Sequence, residues 1–130
     1  ALSHSDFFKK IPADCLDALT FVGKIITLQN DQILFKQNDP SHAAYLIVQG
    51  QIKVVQDAKI ISSMSQGTFF GEVSLTMTNG IHTASVFSNG PTTLLEISRN
   101  DFYHLLSQNL VLAKEIQNLA FQRLSKDQQR

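Results

Sequence analysis

The sequence has no excess of charge of either sign, because eleven basic side chains balance eleven acidic ones and the formal net charge is zero. A neutral chain lacks the broad positive surface that attracts nucleic acid or an anionic membrane. We therefore expect no nucleic-acid binding by this chain alone. Any anion that it binds must be held by a local arrangement of groups.

Cysteine is nearly absent, and the one example, Cys15, excludes an intramolecular disulfide and any cysteine-rich zinc site. Long apolar runs are missing as well. The stretch 43–48 is among the longest and is far below the roughly 18 residues that a membrane span needs, and no signal peptide opens the chain. These absences predict a cytoplasmic protein without a membrane span. The first residue is Ala rather than Met, so the sequence is also compatible with a piece of a longer protein.

With 130 residues, 43% of them hydrophobic and 17% charged, the chain can bury one sizeable core. No repeat, linker or low-complexity block divides it, so one domain is expected over 1–130. Its first zone, 1–23, is predicted to be helical. Pro12 suits the opening turn of a helix, and Leu16, Leu19 and Val22 recur at helical spacing up to Gly23.

The second zone, 24–97, consists of short β-rich runs separated by turn-forming residues, a spacing typical of a β-sandwich or barrel. The predicted strands are Ile25–Leu28, Ile33–Phe35, Tyr45–Val48, Ile52–Val55, Ile60–Ile61, Thr68–Phe70, Ala84–Phe87 and Thr93–Ile97.

The third zone, 98–127, is predicted to be helical again. The Ser98 hydroxyl can cap a helix whose first turn carries Asp101, and apolar residues then follow at helical spacing. Gln108 and Asn109 mark a joint between two helices.

One window departs from simple barrel patterning. Residues 70–75 read Phe-Gly-Glu-Val-Ser-Leu, and residues 82–86 read His-Thr-Ala-Ser-Val. The two blocks resemble the opening and the close of the phosphate-binding cassette of cyclic-nucleotide-binding domains, a family that includes catabolite activators, regulatory subunits of protein kinase A and cyclic-nucleotide-gated channels. The family resemblance implies a mainly β fold, a jelly-roll (double-stranded β-helix) barrel with a short N-terminal helix, a cassette at 70–86 containing a short helix, and C-terminal helices.

The family also carries two glycine turns, a tyrosine strand and a third glycine. Only the third is glycine here, Gly50, and the other two positions fall on Asp31 and Asn38. Asp and Asn tolerate a left-handed backbone better than other residues with side chains, so we expect both turns to persist.

The cassette has a physical logic of its own. A glycine before a short helix allows close approach of a ligand, and the free N–H groups at the helix start favour a phosphate, which Gly71 to Ser74 would supply. The resemblance implies that Glu72 accepts a hydrogen bond from the ribose. The alternative is a surface turn in which Glu72 merely caps the helix.

His82 stands where family members that bind cyclic nucleotides carry an arginine. Histidine offers fewer donors than a guanidinium and is only partly cationic near neutrality. The loss of such a charge-assisted contact is expected to cost about 1.5–3 kcal/mol of binding. One hypothesis places the His82 ring against the phosphate, and the other makes it a solvated loop residue.

The remaining candidates come from the end of the cassette and the last helix. Thr83 can donate its hydroxyl to the phosphate or to a purine edge, although a threonine at a strand start is also ordinary β chemistry. Phe121 and Arg123 are candidates for contact with the base, with a core position and a solvated charge as their respective alternatives. The full set expected around the ligand is Gly71, Glu72, Val73, Ser74, His82, Thr83, Ala84, Phe121 and Arg123.

The sequence suggests three functional hypotheses. The first is a regulatory sensor that binds a cyclic nucleotide, cyclic AMP rather than cyclic GMP, and relays the signal through its C-terminal helices to an effector domain of the same chain or to a protein partner. The second is a family member without a ligand that serves as a docking or dimerisation module, for instance a homodimer through the last helix. The third, a metal enzyme on a related barrel, lacks clustered ligands in the sequence, so we expect neither catalysis nor a cofactor or metal.

Overall fold

The computed structural model describes residues 13–72 and 80–128, with side chains up to residue 123. Helix α1 spans Ala13–Val22 and precedes a run of short strands. The strands are β1 Lys24–Leu28, β2 Ile33–Phe35, β3 Ala43–Gln49, β4 Gln51–Gln56, β5 Lys59–Ser65, β6 Phe69–Phe70, β7 Ser85–Ser88 and β8 Thr92–Ser98. Two helices follow, α2 Arg99–Gln108 and α3 Leu110–Gln128. Each predicted strand is confirmed. Residues 1–12 of the predicted N-terminal helical zone, with Pro12 among them, lie outside the described residues.

The strands form two four-stranded antiparallel sheets, with the orders β1-β8-β3-β6 and β2-β7-β4-β5. The crossings between sheets are those of a jelly roll, as the resemblance implied. Two of the turns carry the left-handed residues that the sequence predicted, Asp31 with φ 60° and Asn38 with φ 77°. The glycines of the family are therefore dispensable at these two positions.

Strand β8 of the first sheet has buried residues on both of its faces. Leu94 points into the barrel, where it joins Tyr45 and Phe70, whereas Ile97 points outward against the helices. The outer cluster contains Phe102 of α2 and Ile116 of α3, both 1% exposed or less. The helices are thus packed onto the barrel through a second apolar core, so a shift of α2 or α3 must change contacts with β8 and β6.

The joint between α2 and α3 lies where the sequence places it. Ser98 caps α2 by accepting from the N–H of Asp101 at 3.3 Å. Helix α2 ends at Gln108, and Asn109, with extended backbone, donates from its N–H to the Leu105 carbonyl at 3.0 Å. Helix α3 begins at the next residue.

Candidate functional site

The site begins where β6 ends, at Gly71. Its φ of 92° is strained for any residue with a side chain, and a Cβ there would lie 3.2 Å from the Ala43 carbonyl oxygen and 3.3 Å from Ala44 Cα. Glycine is therefore required both for conformation and for space. It lets the backbone pass close over β3 and turn into Glu72, which already has helical backbone.

Glu72 is completely buried, and it is paired with Arg123 of α3. One guanidinium nitrogen, Nη1, donates to both carboxylate oxygens, at 2.7 Å to Oε1 and 3.0 Å to Oε2. A carboxylate without solvent needs such a partner, because an isolated buried charge is very costly. The Arg123 side chain keeps 24% of its exposure, so the pair lies at the rim of the site.

This pair corrects one expectation. The resemblance named the ribose as the partner of Glu72, and the structure adds a cation from α3. The alternative of a surface turn is wrong, because Glu72 is fully buried. The structure brings together two predicted site residues that are 51 positions apart. Arg123 is therefore not simply a solvated helix charge.

Val73 and Ser74, together with the rest of the predicted cassette helix, lie outside the described residues. Their expected contacts with a phosphate stay predictions.

His82 is only 3% exposed, so the hypothesis of a solvated loop residue is wrong. Its ring stacks on Phe35 with a centroid distance of 3.5 Å and an interplanar angle of 5°. Burial lowers the pKa of the imidazole to about 4, an effect that nearby Asp39 opposes and nearby His42 reinforces. At neutral pH the ring is therefore uncharged, which differs from the partly cationic group that the sequence suggested.

The backbone at the close of the cassette is fixed by hydrogen bonds. The N–H of His82 donates to the Asp39 carbonyl at 2.9 Å, and the N–H of Asn38 donates to the His82 carbonyl at 2.8 Å. Thr83 is half-buried, and its carbonyl accepts from the side chain of Gln56 at 3.0 Å. Ala84 is 9% exposed and leads into β7.

Phe121 lies on α3 two residues before Arg123 and is 53% exposed, so the core position weighed as its alternative is wrong. Stacking of its ring on a base stays a prediction.

Sequence reasoning missed two residues at the site, Phe35 and Gln56. Phe35 belongs to an aromatic cluster with Tyr45 and Phe70, at centroid distances of 6.0 and 6.4 Å. The His82 ring stacks on this cluster, against Phe35. No local pattern marks either residue, because each reaches the cassette from another strand. The register of β4 and β7 would have indicated Gln56, because Val55 pairs with Ser85 and Gln56 is the next residue toward Thr83.

Within the part of the chain that the structure describes, no group of three or more histidine, cysteine or acidic side chains could hold a metal ion. Among the same residues, none of the helices has the length and the apolar character required to cross a bilayer.

The sequence matches the cyclic nucleotide-binding domain family over residues 25–109, which is more than half of the chain. The chain belongs to this family. The match to the cyclic nucleotide-binding domain family includes most of the site described above and ends at Asn109, the joint between α2 and α3.

Two curated relatives resemble the domain over most of its length. The cAMP-dependent protein kinase regulatory subunit of Dictyostelium discoideum is 28% identical over 113 residues, covering 80% of this chain and 32% of that protein. The lysophospholipase nte1 of Neurospora crassa is 25% identical over 96 residues, covering 70% of this chain and 6% of that protein. The domain therefore spans a third or less of either relative.

Two solved structures share the fold. The catabolite activator protein of Thermus thermophilus superposes with a TM-score of 0.82 at 22% identity, covering 94% of this chain and 59% of that one. The sensor domain of the transcriptional regulator DNR from Pseudomonas aeruginosa superposes with a TM-score of 0.75 at 21% identity, covering 95% of this chain and 86% of that one. At these identities the likeness concerns the fold alone.

Proposed function

We propose that this domain is a sensor that binds a cyclic nucleotide between the cassette and α3, and that α2 and α3 relay the binding to an effector domain or a partner. The observation that carries the proposal is the ion pair between Glu72 and Arg123. It joins the start of the cassette to the helix through which the signal would leave.

The chemistry of the pair suits a ribose. In a 3′,5′-cyclic nucleotide the phosphate occupies two of the sugar oxygens, and the 2′-hydroxyl is the one left to donate. An ionised carboxylate offers about four lone-pair sites, and Arg123 engages one on each oxygen of Glu72. A ribose hydroxyl that donates to the buried Glu72 would therefore alter its contact with Arg123, whose side chain is partly exposed and can move to admit the ligand.

The phosphate would be held mainly by neutral donors. Gly71 brings the backbone close, and N–H groups of the cassette start would face the phosphate oxygens, with the Thr83 hydroxyl opposite. His82 contributes no positive charge at neutral pH, because its pKa is about 4. We therefore propose that this domain binds the phosphate more weakly than relatives with arginine at this position.

The relay would use the connection that the fold provides. A ligand that changes the Glu72 contact changes the position of Arg123, and α3 is packed with α2 on one apolar core. The ligand then shifts the population of helix positions by as much as it prefers one of them.

Cyclic AMP is the proposed ligand in preference to cyclic GMP. The support is the similarity to a cAMP-dependent kinase regulatory subunit, which is 28% identical.

A second candidate function is a docking module that binds no nucleotide. The buried, uncharged His82 favours it, because the family arginine is replaced by a ring packed on Phe35. The exposed apolar residues of α3 would then form the contact, as in the predicted homodimer; they are Leu110, Val111 and Phe121.

The cytoplasmic location of the protein stays a prediction.

Isothermal titration of the purified domain with cyclic AMP, cyclic GMP and 5′-AMP separates the two functions. The sensor predicts saturable binding of a cyclic nucleotide, tighter for cyclic AMP, and weak or absent binding of 5′-AMP, whose phosphate is not closed onto the sugar. The absence of binding by either cyclic nucleotide would favour the docking module.

A further inference from the structure

Within the cassette, the hydrogen-bond ladder between β4 and β7 reaches only its last residues, Ser85 and Val86. Its last backbone pair is Val55 with Ser85, and Thr83 lies beyond it. There the side-chain amide of Gln56, the last residue of β4, donates to the Thr83 carbonyl at 3.0 Å. A side chain thus continues the ladder at the residue that is expected to face the ligand.

The residues before and after Thr83 are held by contacts from a different part of the chain than Gln56. The N–H and carbonyl of His82 are bonded to the backbone of Asp39 and Asn38, and the N–H of Gln37 donates to Ser85 Oγ at 2.8 Å. These contacts all come from the chain that follows β2. The Gln56 contact comes from the opposite side, so it fixes the part of the segment that they do not reach.

Gln56 itself is braced by the turn that follows it. Asp57 and Ala58 both have positive φ, 51° and 68°, which is unfavourable for an alanine. The turn is tied down by a reciprocal pair with Gln37: its Nε2 donates to Asp57 Oδ1, and the Asp57 N–H donates to its Oε1, each at 3.0 Å. Positive φ at both central residues is the geometry of the two-residue turn that favours a hairpin, and the pair with Gln37 anchors this turn, so it holds the end of β4 in place.

We propose that Gln56 is a positioning residue of the nucleotide site, which sets the height of Thr83 above the barrel and thereby the reach of the Thr83 hydroxyl toward the ligand. The inference rests on the proposed function. It assigns a role to the β4–β5 turn in holding Gln56 in place.

The binding test uses Gln56→Met, which keeps the length of the side chain and removes the donor. Cyclic AMP affinity should fall by about three- to tenfold, as expected for the loss of one neutral hydrogen bond. Gln49→Met, at an exposed position of β3, is the matched control and should bind like the unmodified domain. Gln56→Glu, which is isosteric and cannot donate, should reproduce the loss if Gln56→Met folds poorly.

The mode of action is tested with Thr83→Val, which removes the hydroxyl and keeps the shape. If Gln56 acts through Thr83, the double variant should bind no more weakly than Thr83→Val alone. Independent, multiplicative losses would overturn the inference, and so would an unchanged affinity of Gln56→Met.

A second readout needs no ligand. Amide hydrogen exchange in the 82–86 segment should rise about fivefold or more in Gln56→Met and stay unchanged in Gln49→Met. Unchanged exchange in Gln56→Met overturns the inference whatever the domain binds. If the unmodified domain binds no cyclic nucleotide, the proposed function fails, and raised exchange still assigns the positioning of Thr83 to Gln56.

Discussion

At the scale of single residues, His82 is the position where the structure changes the interpretation of the sequence most. A histidine in place of the family arginine is visible in the sequence, whereas its stacking on Phe35 is not, because Phe35 lies on β2 and His82 lies 47 residues later, in the segment before β7. Burial leaves the ring uncharged at neutral pH. This state of the ring gives three predictions, one on stability and two on binding.

The first concerns acid stability. The folded-state pKa of His82, about 4, lies below the ordinary value of about 6.5, so the unfolded chain takes up a proton first as the pH falls. The neutral ring therefore stabilises the fold fully above about pH 6.5, and this contribution is lost progressively toward pH 4. We expect a loss of about 1–2 kcal/mol between about pH 7.5 and 5.

Urea unfolding of the domain and of His82→Gln at several pH values measures this loss. The variant should show a shallower decline over that interval, since glutamine does not titrate. Parallel declines would mean that His82 keeps an ordinary pKa in the folded domain.

The second concerns binding by His82→Arg. A guanidinium is planar, so it can stack on Phe35 as the imidazole does, and it brings a permanent charge to the phosphate. Affinity for cyclic AMP should rise by about tenfold or more, and the ligand-free variant should be less stable than the unmodified domain, because the new charge is buried without its partner. Calorimetric titration and thermal unfolding check the two effects. An unchanged affinity in a folded variant would place this position outside the phosphate site.

The unmodified domain should in turn show a displaced pH dependence. If the phosphate selects a protonated ring, the affinity rises as the pH falls and levels off only near the free-state pKa of about 4, rather than near the reference value.

At the scale of elements, the strands and helix ends were predictable because they depend on neighbours in the sequence. The Ser98 cap and the joint at Asn109 are local hydrogen-bond patterns, and both are confirmed. The sequence identified Arg123 of α3 as a candidate for contact with the base, but its contact with Glu72 of the cassette could not be predicted. It depends on how far α3 extends over the barrel, which the packing of residues such as Ile116 decides.

That contact gives an asymmetric prediction for Arg123 and Glu72. Arg123→Ala leaves a fully buried carboxylate without its guanidinium, whereas Glu72→Ala leaves an arginine that is 24% exposed and can turn to water. Arg123→Ala should therefore cost about 1–3 kcal/mol of stability, and Glu72→Ala less. Lys114→Ala, at an exposed position of the same helix, is the control and should cost little. Equal losses in thermal unfolding for both partners would contradict the burial of Glu72.

At the scale of the whole molecule, the domain is a barrel with two apolar cores, one inside it and one beneath the helices. The sequence specified the strands and, through the family resemblance, the jelly roll. The pairing of residues 51 positions apart could not be read from periodicity, because it depends on the assembled barrel. This same pairing makes the domain a candidate switch, since one ion pair joins the ligand site to the helical layer.

The sensor function requires that Glu72 accepts a hydrogen bond from the ribose of a cyclic nucleotide. The decisive measurement is a titration of the unmodified domain and of Glu72→Ala with cyclic AMP and with 2′-deoxy cyclic AMP. The unmodified domain should bind the deoxy ligand about tenfold more weakly, and Glu72→Ala should bind both ligands weakly and equally, because the hydroxyl has lost its acceptor. Glu115→Ala, on the same helix as Arg123, is the control and should discriminate like the unmodified domain. The same preference for the ribose ligand in Glu72→Ala as in the unmodified domain would contradict the claim.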